Sequence, residues 1–401
     1  MDEAAVPTSS AVAEVFREEA GRVTAALIRR FRDFDLAEES VQDAILAAVE
    51  TWPRDGVPRR PGAWLLTVAT RRALNRLERD RRYQRKLAEL PGASPSEGQD
   101  DRLQLILLCC HPALSREAQV GLTLRAVAGF TTREIARAYV ASEAAVAQRL
   151  VRAKHKIAAA GIPYRMPLGL ELTERLGHVL EVLYLIFNEG HLSTTGESSQ
   201  RRNLAEDAAW LALLVCRLLP REPEPAGLLA LMKLHLARGR SRFTEAGALV
   251  LLREQDRSHW DRDLIREAVG LIERAASESR PGPYQIEAAI AACHAEAASF
   301  EETDWRQIVA LYDMLLVIAP SPVVRLNRAI ALWQVEGAQA ALREVEAVGP
   351  VLAGYHLFHA ARGLLLAELG APVQARAAQA RALRLTQNRA EQALLRERLR
   401  L

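Results

Sequence analysis

Val146, Leu150, Ala153 and Ile157 recur at intervals of three and four residues. That is the stripe an α-helix buries and a strand does not. Leu66, Ala69, Ala73 and Leu77 repeat the pattern upstream. Strand signals are sparse: 5% of the 401 residues are aromatic, and runs of Val, Ile and Thr are few. Ala, Leu, Arg and Glu dominate, and these are strong helix formers. The chain is therefore expected to be all-α, which sets aside a sandwich, a barrel or a parallel-sheet enzyme. At 49% hydrophobic against 26% charged it can bury real cores, and its length implies two or three domains.

Punctuation divides the chain into 10–82, a linker 83–101, 102–161, 162–298 and 299–401. In the first segment helices are expected over 12–31, 37–51 and 61–82, with Pro53, Gly56, Pro58, Pro61 and Gly62 breaking the last interval. The linker contains the run from Pro91 to Asp101, and an extended chain of that length spans on the order of 60 Å at about 3.3 Å per residue. Gly161 and Pro163 stop the third segment.

Charge is unevenly spread. Residues 54–86 hold eleven Lys/Arg against three Asp/Glu, and residues 133–156 six against two. From Pro163 onward the balance is 28 against 29. Two cationic patches on helices within the first 160 residues are the footprint of nucleic-acid binding, against the alternative of solvated helix faces. In the third segment a helix over 116–128 is followed by a turn at Gly129-Phe130. Thr131 and Glu134 have capping-box form, and a short helix follows. Ser142 then caps a long helix to about Ala160. Its polar side carries Gln148, Arg149, Arg152 and Lys156, with Lys154 nearby. A two-helix unit whose second helix is basic suits the major groove, where Gln pairs an adenine edge, Arg a guanine edge and other cations the phosphates; an ordinary helical hairpin with a wet face is the alternative. The helix 61–82 carries Arg71, Asn75, Arg79 and Arg82 on one side, after a loop with Arg54, Arg59 and Arg60. Such a surface can hold a strand backbone and an unstacked base. Trp52 and Trp64 flank the loop; a stacking role fits Trp52 and a core role Trp64.

The run Glu39-Ser-Val-Gln42-Asp43-Ala-Ile45, the run Ala63-Trp64-Leu65-Leu66 through Arg71-Arg72-Ala-Leu-Asn75, a linker, and the helix from Ser142 through Gln148, Arg149, Arg152 and Lys154 come in an order and spacing that resembles a bacterial extracytoplasmic-function (ECF) sigma factor. The resemblance implies regions two and four of a sigma factor. Glu39, Gln42 and Asp43 would dock on the β′ clamp of core RNA polymerase, with the β flap as a second contact. Arg59, Arg60, Arg71, Asn75 and Arg79 would hold the −10 element of promoter DNA. Gln148, Arg149, Arg152, Lys154 and Lys156 would read the −35 element. The linker, through Glu89, Glu97, Asp100 and Asp101, would mimic nucleic-acid charge inside the polymerase. Ser40, Ile45, Arg71 and Ala147 depart from the residues common in such proteins.

The sequences around Leu326-Asn-Arg-Ala and Ala360-Ala-Arg-Gly recur about 33 residues apart, near the tetratricopeptide (TPR) period. The run from Asp304 to Pro320 reads as a further second helix of such a repeat. Tyr184 through Gly190, and Gly282 through His294, resemble a sigma-factor subgroup with a TPR-like C-terminal extension. That resemblance implies regulation in cis and leaves room for a small protein partner of the repeats. Asn188-Glu189-Gly190 also reads as a plain helix end.

No catalytic signature is visible: no P-loop, no Rossmann glycines, no G-x-S-x-G and no H-E-x-x-H. The four cysteines form no CxxC pair. Cys109-Cys110-His111 reads as helix-end packing, and His356 with His359 as satisfied polar groups, ahead of metal ligation. No enzyme activity, cofactor or metal is expected. The N-terminus lacks an apolar signal region and no span of about 18 apolar residues exists, so a cytoplasmic protein away from membranes is expected. A helix-turn-helix activator with a TPR-like sensor domain is the alternative, as is a repeat scaffold. The run Glu39–Ile45 sets the activator apart, since a plain activator has no need of it.

Overall fold

The computed structural model describes residues 9–79, 101–139, 141–191, 198–244 and 248–400. Among them every regular element is a helix, and the β-type pairing is an isolated bridge between Phe243 and Leu249. The chain forms two compact units, residues 1–186 and 187–401.

The first unit begins with α1 (Ser9–Phe31), α2 (Phe34–Asp55) and α3 (Pro61–Arg79). Asp33 caps α2 by accepting from Leu36 N at 3.0 Å. Gly56, at φ +80°, ends α2, donating its N–H to Trp52 O at 2.9 Å. The face that α3 turns inward is Leu65, Ala69, Ala73 and Leu77. Leu66, expected in that stripe, is half-buried. One position is about 100° of helix rotation, and the row spaced by four is the one that packs on α1 and α2. The acidic linker expected at 83–101 lies outside the described residues apart from Asp101. That residue is buried and its carboxylate accepts from Arg29 Nη1 at 3.0 Å, so it is structural and does not mimic a nucleic acid.

After Asp101 come α4 (Arg102–Cys109), α5 (Arg116–Ala126), α6 (Thr132–Ala138) and α7 (Glu143–Ala159). Leu103, Leu105, Ile106, Leu107, Leu108 and Cys109 are all buried, so α4 is apolar all round. A helix of that kind belongs inside a unit. The thiols of Cys109 and Cys110 are buried there, and burial pushes both pKa values up, that of Cys110 to about 11. Gln119, buried on α5, donates to the carbonyls of Cys110 and His111 at 3.3 and 2.8 Å. Helix α1 approaches the end of α5 so closely that a Cβ at Gly21 would stand 2.5 Å from Val127 O. The unit closes with Tyr164, whose hydroxyl donates to Ala25 O (3.1 Å) or Asp101 O (3.2 Å). The boundary between the two units falls within α8 (Leu170–His191). Gly190 is buried inside α8, one residue before its end, so Asn188-Glu189-Gly190 is not its C-cap.

The second unit continues with α9 (Ser198–Leu218), α10 (Pro223–Ala237), α11 (Arg262–Ser277) and α12 (Pro283–Glu296). Helix α10, buried on nearly all sides, packs on α9, α11 and α12. Helices α13 (Trp305–Ile318), α14 (Pro322–Glu336), α15 (Ala338–Leu352), α16 (His356–Glu368), α17 (Pro372–Leu385) and α18 (Arg389–Arg400) follow, each packed on the next. From α14 to α16, and from α15 to α17, the helix starts advance by the same 34 residues. Leu326, Ala329, Ala341, Val345, Val348, Phe358 and Leu365 share one core across α14–α16. His359 Nε2 lies 2.9 Å from Ala353 O and His356 Nε2 3.0 Å from Glu391, so the two rings serve different partners.

Candidate nucleic-acid interface

With Leu65, Ala69, Ala73 and Leu77 turned inward, helical periodicity places Thr67, Arg71 and Asn75 on the outside of α3, and all three are exposed. Arg59 and Arg60 are exposed in the loop just before that helix. Among the described residues, Arg54, Arg59, Arg60, Arg71 and Arg72 form no ion pair, so their charge faces water. Arg79 ends α3, and its side chain lies outside the described residues. The two tryptophans exchange their expected places. Trp52 is 1% exposed and Trp64 is half-buried, with the rings edge-on at 5.5 Å. The reason is that α2 extends through Trp52 to Asp55, which carries that ring inside.

The second surface is on α7. Thr131 and Glu134 form the capping box of α6, and Ser142 accepts from Ala145 N at 3.2 Å to start α7. Val146, Leu150, Ala153 and Ile157 are buried as one stripe. Gln148, Arg152 and Lys156 are exposed at successive four-residue steps, and Arg149 is half-buried beside them. Lys154 is placed differently. Its ammonium donates to Asp35 Oδ1 and Glu38 Oε2 of α2, both at 2.8 Å, and its side chain is 10% exposed. Burial alone would lower its pKa; Glu38 and Asp35 outweigh this and hold it above the usual lysine value. Arg125 Nε adds a second cation, 3.5 Å from Glu38.

On α2, Gln42 is exposed, while Glu39 and Asp43 share Arg76 of α3, with Asp43 at 2.9 Å. Leu46 and Val49 are also exposed on α2, one and two turns beyond Gln42.

Over residues 15–83 the chain matches sigma-70 region 2. Over residues 175–276 it matches DUF6596, a family of unknown function. An uncharacterized protein of Rhizobium meliloti is 44% identical over 387 residues, covering 93% of this chain and 92% of that protein. The two proteins belong to one family. No solved structure matches the chain. The helices α1–α3 form a sigma-70 region 2 domain, and with it comes a sigma-factor-like role in transcription initiation, with core RNA polymerase and promoter DNA as partners.

In this region 2 domain the expected site residues gather on two elements, with Glu39, Gln42 and Asp43 on α2 and Arg59, Arg60, Arg71 and Asn75 on α3 and its leading loop. Sequence reasoning missed Arg76 as the partner of both acids. It also missed Asp35 and Glu38, which fasten the region 2 domain to α7 and α5. One signal was available for the second: Lys154 lies four residues after Leu150 and three before Ile157, on the margin of the buried stripe. No helix among the described residues is long and apolar enough to cross a membrane. Among the same residues no group of three or more His, Cys, Asp or Glu could hold a metal.

Proposed function

We propose that this protein is an ECF-type sigma factor whose C-terminal helical part regulates it. One observation carries the reading: a sigma-70 region 2 domain with an unpaired cationic helix face shares a compact unit with a second capped helix bearing exposed Gln148, Arg152 and Lys156. In this reading α2 docks on the polymerase clamp through Gln42, Glu39 and Asp43, and the exposed Leu46 and Val49 add apolar contact. Arg59, Arg60, Arg71, Asn75 and Arg79 hold the −10 element. Helices α5–α7 act as a helix-turn-helix, with α7 in the major groove of the −35 element and Gln148, Arg149, Arg152 and Lys156 as its contacts. Lys154 leaves that set, because a cation already held by two carboxylates has little left for a phosphate.

The 34-residue step of α14–α17 supports a TPR-like extension, whose stacked helices offer a surface for a small protein partner. The protein works in the cytoplasm, where the polymerase is. The chain itself does no bond chemistry; promoter melting draws on binding free energy. The test is transcription in vitro with core polymerase on a promoter library, comparing the full chain with one ending at residue 186. Defined start sites with either form support the reading, and their absence with both overturns it.

A further inference from the structure

Several cations of the second unit have a carboxylate partner: Lys233 has Glu267, Arg328 has Asp313, Arg362 has Glu346 and Arg325 has Glu344. Two neighbouring arginines withdrawn from the surface have none among the described residues. Helix α10 ends at Ala237, and the chain continues as Arg238-Gly239-Arg240-Ser241-Arg242. Arg238 and Arg242 are half-buried, and among the described residues neither has a carboxylate partner.

The groups they touch are amide, carbonyl and aromatic, with no carboxylate among them. Arg238 Nε and Nη2 both reach Gln255 Oε1 at 3.3 Å, and its guanidinium lies 5.3 Å from the Trp260 ring centre. Gln255 is itself fixed by donating to Val250 O at 3.0 Å. Arg242 Nη1 donates to His191 O at 2.8 Å and meets His191 Nε2 at 2.5 Å. The His191 ring lies 5.1 Å from that of His235 and stacks on Phe187 at 5.1 Å, and Phe187 and His235 are 6.1 Å apart, so the three rings form one cluster. Arg257, whose guanidinium is 4.9 Å from the Trp260 ring centre, is satisfied by the carbonyls of His294 and Ala297. The Trp260 indole N–H is buried and has no acceptor among the described residues.

The electrostatics agree with the geometry. Burial first, then the neighbouring cations, lower the Arg238 pKa to about 10 and that of His235 to about 3, and drive His191 well down. The C-terminus of α10 supplies a partial negative charge of about half an electron, which offsets only part of two guanidinium charges. Uncompensated charge away from water is costly. Two guanidinium forks left with donors to spare match the oxygens of a phosphate.

We propose that Arg238 and Arg242, with His235 and Trp260 beside them, form a binding site for the phosphate group of a small phosphorylated molecule. The site is set within the helical part, not on a cationic helix face, so it takes a small ligand and not a nucleic-acid duplex. All of its residues lie in the stretch that matches the family of unknown function, and the site stands whether or not the chain is a sigma factor.

The test is calorimetric titration of the full-length protein with inorganic phosphate, with sodium chloride at matched ionic strength as the control and acetate as a carboxylate arm. The expected result is one saturable phosphate site per chain. Arg242→Lys, which keeps the charge and loses the fork, should weaken it by about tenfold or more. Arg242→Met and Arg238→Met should abolish it, and Arg240→Met, an exposed neighbour, should leave it unchanged. Circular dichroism on each variant confirms that the helices are retained. Phosphate heats no different from those of chloride, acetate binding as tightly as phosphate, or full phosphate affinity in folded Arg242→Lys would overturn the proposal.

Discussion

Replacing Lys154 by methionine keeps the aliphatic stem and removes the charge that joins α7 to α2. A solvent-exposed ion pair contributes about 0–1 kcal/mol, whereas stripping one partner from a buried pair costs about 3–5 kcal/mol. This site lies between those limits. Lys154 and Glu38 have side chains 10% and 13% exposed, but Asp35 is 67% exposed and keeps its water. After the change Glu38 retains Arg125 at 3.5 Å. The expected loss is about 1–3 kcal/mol for the first unit, and for a unit of this size each kcal/mol lowers the melting midpoint by about 2–4 °C. Circular dichroism melts of the full chain measure this directly. Promoter binding by the holoenzyme supplies the discriminating readout. A phosphate-contacting lysine contributes about one to the slope of log K against log salt. Lys154→Met should leave that slope unchanged while Arg152→Ala flattens it. An unmoved melting midpoint together with a slope reduced by about one would refute the structural role and return Lys154 to the DNA.

Gln148→Ala and Arg152→Ala should each cost about 1–3 kcal/mol of upstream element recognition without changing the melt; unaltered footprints over that element would remove the assignment. Asp43→Ala should weaken capture of core polymerase more than it weakens DNA binding, and a pull-down retaining all of the core enzyme would contradict this. Gly21→Ala gains about 1 kcal/mol of helix propensity but sets a methyl 2.5 Å from Val127 O. Backbone must move, at about 1–3 kcal/mol, so the melt should shift down or stay level, and a clear rise would show that α1 and α5 are not in close contact. Glu287, buried near Glu224, has its pKa raised to about 7. A carboxyl whose folded pKa is raised binds its proton more tightly in the folded state, so stability falls as pH rises from about 4.3 to about 7, by roughly 4 kcal/mol at most. Glu287→Gln should flatten that part of the stability–pH curve; an unchanged curve would show the carboxyl to be solvated.

The parts of the fold that were legible are those fixed by neighbours in sequence. Thr131 and Glu134 close a capping box three residues apart, and Ser142 caps the helix it precedes. Both were readable because donor and acceptor lie within one turn. The stripe Val146, Leu150, Ala153 and Ile157 is buried as its spacing implied. Where two neighbouring positions are both leucine, periodicity alone does not choose, and Leu65, not Leu66, went inward. The candidate site was legible by residue type. Arg71, Asn75, Gln148 and Arg152 are polar, uncovered and at helical steps.

What failed to show depends on partners far along the chain. Asp101 looks like one more acid in a polar linker until Arg29 is seen beside it, 72 residues away. Lys154 looks like one more cation until Asp35 and Glu38 are. Trp52 and Trp64 are alike in chemistry, and the extension of α2 through Asp55 decided which is buried. The sequence alone determined that the protein is helical, where its caps and apolar stripes lie, and which residues could carry charge to DNA, because each of these follows from contacts within one or two helical turns. The tertiary structure alone decided which of those charges stay free, because a side chain is neutralised by whatever the fold brings within about 4 Å of it, and that distance has no counterpart in sequence separation.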